Sequence, residues 1–185
     1  MEKLKKALPF ALVVVLILGF IWYENRFTLF TSGTKITVPA GQVEYAFDMH
    51  MWEYLELIRV AGGSGVKKSV QQSDDSAIFV INREAQQRIL TAHMLAIKDE
   101  IDFITDNSFS ISTITIDFRD DLARLYITTT RDNFTNNDIQ RFNKLIRLCL
   151  LYQLWEDEDY TVVMVEVTCN SNVIFSDGYN FTDVP

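Results

Sequence analysis

The chain has 185 residues, 48% of them apolar and 12% aromatic, and a formal net charge of −8. Lys3, Lys5, Lys6 and Arg26 against Glu2 and Glu24 give residues 1–26 a charge of +2, which leaves −10 on the remainder. A domain that acidic repels phosphate backbones at long range, and no basic stretch interleaved with aromatics offsets this, so nucleic acid is set aside as a partner.

The first predicted element is a membrane span. The 17 residues from Ala7 to Tyr23 carry no charge, and as a helix they rise about 26 Å, the short end of a bilayer crossing. No small-residue cleavage site follows Gly19, because Phe20, Ile21, Trp22, Tyr23 and Glu24 come next, so the segment reads as an uncleaved anchor. Trp22 and Tyr23 suit the headgroup layer, and the lysines before the span keep residues 1–6 cytoplasmic. The rest of the chain is then extracytoplasmic.

Residues 24–60 read as membrane-proximal strands and a short helix. Thr28–Thr31 and Thr34–Val38 have strand composition, Pro39-Ala-Gly41 is a turn, and the alternation of Val43, Tyr45, Phe47 and Met49 predicts a strand over 43–49. A helix over 50–60 follows from Tyr54, Leu55 and Ile58. Residues 61–76, rich in Gly, Ser, Gln and Asp, read as a flexible loop.

Residues 77–185 carry the clearest pattern. Ala77–Ile81 is an apolar strand, Asn82 a helix cap, and Leu90, Met94, Ile97, Ile101 and Ile104 the seam of a helix reaching Asp106. Ile114, Ile116 and Phe118, then Leu125 and Ile127, alternate as a hairpin. Thr135, three residues before Asp138, opens a second helix carrying Ile139, Phe142, Ile146 and Cys149, with a deeply buried end. Val163, Val165 and Val167 and the run from Val173 to Phe175 form another hairpin about Asn170-Ser-Asn172. Helix plus hairpin therefore occurs twice, a weak internal repeat. The order from Ala77 predicts an α+β fold of split βαβ, ferredoxin-like type: an antiparallel sheet with two main helices on one face, extra N-terminal strands and a C-terminal hairpin.

Reactive groups are sparse. The two histidines, His50 and His93, lack evident partners; Asp48, His50 and Glu53 have no recognised metal-ligand spacing; and the acidic runs 132–138 and 156–159 lack a calcium loop's glycine and terminal glutamate. Gly62-Gly-Ser-Gly65 has no following P-loop lysine and reads as linker. No catalytic, cofactor or metal residue is assigned and no cofactor is expected. Cys149 and Cys169, on a helix and the following strand, fit either a disulfide or two buried thiols. Asn133 and Asn180 stand in N-x-T acceptor triplets.

The expectation is an interaction module on a single-pass anchor, assembling or regulating an envelope-associated complex of the secretion, conjugation, division or lysis kind. Its partners would be the bilayer through residues 7–23, other envelope proteins, and a second copy in a homo-oligomer. The alternative is a ligand-sensing or cell-wall-binding domain with Trp52 and Tyr54 forming a binding surface under the 61–76 loop. A membrane-bound hydrolase ranks third.

Overall fold

The structure, a computed structural model, describes residues 33–119, 122–156 and 161–183. The expected anchor with Trp22 and Tyr23 lies outside the described residues, as do strand residues 28–31 and most of the acidic run after Glu156. Among the described residues no helix is long and apolar enough to cross a membrane.

Within residues 34–185 the described residues build an α+β unit with two sheets. The first sheet has the order β1 (Thr34–Val38), β3 (Ala77–Ile81), β2 (Val66–Gln71), with both pairs antiparallel. Strand β3 is apolar throughout because it is central: Ala77, Phe79 and Ile81 are fully buried, while Ile78 and Val80 are half-buried on the other face. The second sheet runs β4 (Ile111–Arg119), β5 (Leu122–Thr129), β6 (Val163–Cys169), β7 (Asn172–Tyr179). Both expected hairpins are present, and β5 and β6 join them as a parallel pair in which Leu125 faces Val165 and Ile127 faces Val167. Parallel neighbours need a crossover. It is supplied by the helix Asn143–Trp155.

The single antiparallel sheet expected from the element order is thereby corrected. Strand β3 pairs with β1 and β2 instead of joining the two hairpins. The crossover helix explains why. Leu145, Ile146, Leu148, Cys149, Leu150, Leu151 and Trp155 are buried, and so are its polar Arg147 and Gln153, and the helix contacts β1 of one sheet and β5 and β6 of the other. A helix buried over most of its circumference must be covered on more than one side, which one sheet cannot do.

The remaining helices, taken with it in chain order, are α1 (Gln42–Phe47), α2 (Met51–Gly62), α3 (Arg83–Asp106), the single turn α4 (Asn136–Ile139) and the crossover helix α5. Helix α1 replaces the strand expected over 43–49. Gly41 and Asp48, at φ 75° and 54°, close its ends in the left-handed region, and Val43 and Ala46 are its buried face while Tyr45 is exposed. Helix α3 is capped as expected: Asn82 Oδ1 accepts from Ala85 N–H at 2.8 Å. Its buried stripe is Ile89, Leu90, His93, Ile97, Glu100 and Ile104, which places His93 in the seam and leaves Met94 partly exposed.

Residues 61–76 are not a loop. They hold a 3-10 turn, Gly63–Gly65, and strand β2, whose polar composition reflects an edge strand with one open face. The glycines serve close packing. A Cβ on Gly62 would collide with Val66 Cγ2, and one on Gly65 would meet Asn82 Oδ1 and come within 2.6 Å of Ala85 Cβ. Here α2, β2 and the start of α3 converge, held by Asn82 N–H to the Gly65 carbonyl at 2.9 Å and Arg88 to the Gly62 carbonyl at 2.8 Å.

Cys149 and Cys169 are both buried free thiols, so the disulfide reading is set aside. Burial pushes the Cys149 thiol far up.

Candidate binding groove

The residues singled out in sequence fall in separate places. Tyr54 is fully buried, which removes it from any binding surface; Trp52, two residues earlier and on the opposite side of α2, is 58% exposed. Trp52 borders a depression of about 320 Å³ with His50, Glu44 and, from the β2–β3 hairpin, Gln71 and Asp75. Glu53 Oε2 accepts from His50 N–H at 2.8 Å, so His50 and Glu53 cap the start of α2, while Asp48 closes the end of α1.

Tyr54 and His93 belong to the core. Trp155 Nε1–H, which can only donate, donates a hydrogen bond to the Tyr54 oxygen at 2.7 Å; the Tyr54 hydroxyl donates to His93 Nε2 at 2.9 Å; His93 Nδ1–H donates to the Ile89 carbonyl at 2.9 Å. The directions fix a neutral imidazole with its proton on Nδ1. Burial pushes the His93 pKa down to about 4 and the Tyr54 hydroxyl far up. Phe47 and Phe79 pack edge-on around this chain.

The largest concavity among the described pockets, about 440 Å³, lies elsewhere, where α3 ends and the second sheet begins. Helix α3 stops at Asn107, whose Nδ2 caps the Phe103 carbonyl at 2.8 Å. The chain then turns through Ser108, Phe109 and Ser110; the two serines and Phe103, 62% exposed, line the concavity, and Phe109 between the serines is fully exposed. The Ser110 carbonyl accepts from Thr130 N–H and Thr129 Oγ1, both at 2.8 Å, which ties the start of β4 to the end of β5. The apolar floor comes from Ile104, Ile111, Phe134 and Phe142. Phe134 is held from behind by Phe142 and Phe175, with ring centres 6.2 and 5.6 Å away.

One side of the groove is charged. Arg131, Asp138 and Arg141 line it. Asp138 Oδ2 accepts from Thr135 Oγ1 at 2.8 Å and Thr135 N–H at 2.9 Å, the reciprocal cap expected from the sequence. Those hydrogen bonds, with the fields of Arg131 and Arg141, hold the Asp138 carboxyl below the usual carboxylate range. Arg131 reaches Asp138 only at 3.8 Å. Arg141 makes no ion pair or side-chain hydrogen bond among the described residues. Asp138 is thus committed to its helix cap, and the guanidinium pair keeps hydrogen-bonding capacity toward the groove.

Sequence reasoning did not single out Phe103, Phe109, Phe134, Arg131 or Arg141. A signal was available: Phe103 stands off the apolar seam of α3, and Phe109 sits in a serine turn where no core position is expected. Both acceptor asparagines lie outside the groove lining. Asn133 is exposed, whereas Asn180 is half-buried and folds its Oδ1 onto Thr182 N–H at 2.8 Å.

Comparison with protein-family models, with curated proteins and with solved structures gives no match for this chain.

Proposed function

We propose that the chain is a single-pass, membrane-anchored extracytoplasmic interaction module that serves the assembly or regulation of an envelope-associated complex, and that it engages a partner protein through the groove between α3 and β4. One observation carries this reading: two large aromatic side chains stand in solvent close together in the chain, Phe103 lining a concavity with an apolar floor and Phe109 in the turn between Ser108 and Ser110, which also line it. Aromatics exposed beside a pocket anchor protein interfaces, because they bury much surface at little entropic loss. The anchor itself is argued from the uncharged run 7–23 with its flanking lysines and interfacial Trp22 and Tyr23.

The test is a photocrosslinking amino acid placed at Phe109 of the full chain in intact membranes of its own host. The module reading expects a discrete adduct with one protein, lost in Phe103→Asp and not obtained from the same probe at exposed Val173 on β7. Adducts that are equal at both positions, or indifferent to Phe103→Asp, speak against it.

A second reading is favoured by a different feature. Trp52, exposed beside Gln71 and Asp75, could stack on a sugar ring, as a cell-wall-binding or ligand-sensing domain requires. Quenching of tryptophan fluorescence by soluble envelope glycan fragments, abolished in Trp52→Ala, would favour it.

A further inference from the structure

We infer that the groove recognises a carboxylate set next to a large apolar side chain, as the last residue of a polypeptide presents it. The inference rests on the interaction-module reading and names what that module holds. Three features of the groove converge. Its floor of Ile104, Ile111, Phe134 and Phe142 accepts an apolar group, and a space of about 440 Å³ is of the size that takes a drug-sized ligand. Its charged wall offers two guanidinium groups against a single carboxylate already engaged by Thr135. Guanidinium forks pair with carboxylates in two-point contact, and such charge-assisted hydrogen bonds are the strong ones.

The domain around the groove is acidic, so a bare anion has no long-range attraction to it. Recognition must therefore join the apolar contact to the short-range pairing, which selects an amphiphilic ligand over a simple ion. A polypeptide end fits better than a small molecule because the site continues. Phe103 is shared with a neighbouring depression of about 350 Å³, lined also by Phe47, Ala96 and the Glu100–Lys144 pair at 2.7 Å. A chain whose last side chain fills the groove can run across the Phe103 ridge into that second hollow.

The test titrates the full-length protein in detergent micelles, isotopically labelled for NMR, with N-acetyl-phenylalanine, its carboxamide, 3-phenylpropionate and an acetylated tetrapeptide ending in Phe. The expected result is that shifts concentrate at Ile111, Thr129, Arg131 and Arg141. The free acid should bind at least about 10-fold more tightly than the amide, and the tetrapeptide more tightly than phenylpropionate. Arg141→Gln, a surface change that should leave the fold intact, should erase the acid-over-amide preference. Equal binding of acid and amide, or no shifts at the groove, overturns the proposal. A tetrapeptide no tighter than phenylpropionate overturns the polypeptide source. If these fail while the Phe109 adduct persists, the interaction module stands with a ligand of other chemistry; if they succeed without an adduct, the carboxylate site stands and the module reading falls.

Discussion

The Trp155 indole and the Tyr54 hydroxyl, 101 residues apart in sequence, meet at 2.7 Å in the core, and the hydrogen-bond chain they begin runs through His93 to the Ile89 carbonyl. This contact ties α2, α3 and α5 together. It also joins Tyr54, expected on a binding surface, and His93, for which the sequence offered no evident partner, in one satisfied polar network with Trp155.

Tyr54→Phe leaves the indole N–H and His93 Nε2 both buried without their partner, so it should destabilise the protein by about 1–3 kcal/mol. Trp52→Ala, on the exposed side of the same helix, should stay within about 0.5 kcal/mol. Urea denaturation followed by circular dichroism separates the two, and equal effects would contradict the placement of Tyr54.

The buried imidazole makes stability depend on pH. His93 has a native pKa near 4, against 6.5 for the free side chain, so between these values the unfolded chain binds the extra proton. Stability contributed by neutral His93 is complete above pH 6.5 and is lost as pH falls toward 4. At about 1.4 kcal/mol per pKa unit the loss amounts to roughly 3 kcal/mol. Urea midpoints measured across that window should fall with pH in the wild type, and His93→Gln should flatten the slope.

If residues 61–76 were a linker, Gly65→Ala would stabilise by about 0.4–1 kcal/mol through the unfolded state. The collision with Asn82 and Ala85 predicts the opposite, a loss of about 1–3 kcal/mol, visible as a lower melting temperature.

The groove aromatics should divide into two kinds. Phe134, packed on Phe142 and Phe175, should cost about 2 kcal/mol or more when cut to Ala. Phe103→Ser should leave stability within about 0.5 kcal/mol while removing partner contact. A Phe103→Ser variant as unstable as Phe134→Ala would mean that Phe103 is structural.

Much of the fold was legible where local chemistry dictates it. Asn82 and the Thr135–Asp138 pair cap helices as their side chains predict, and both hairpins follow period-two alternation. Non-local choices were not legible. Whether Ala77–Ile81 joins one sheet or another depends on what covers α5, and the polar strand Val66–Gln71 exists because β3 needs a partner on its second edge. The stretch Val43–Phe47 satisfies both a period of two and an i, i+3, i+4 spacing, and only burial against α5 decides. The groove was harder still, since it joins the end of α3, the start of β4 and residues 131–142.

If the chain is anchored as proposed, Phe109 lies on the extracytoplasmic side of the membrane. The most direct measurement is labelling of a Phe109→Cys variant with a membrane-impermeant maleimide in intact cells, with the buried native Cys149 and Cys169 as a silent background. Rapid labelling of intact cells is expected at Phe109→Cys and none in the parent chain. Labelling that appears only after the membrane is opened would place the domain on the other side and contradict the proposed anchoring.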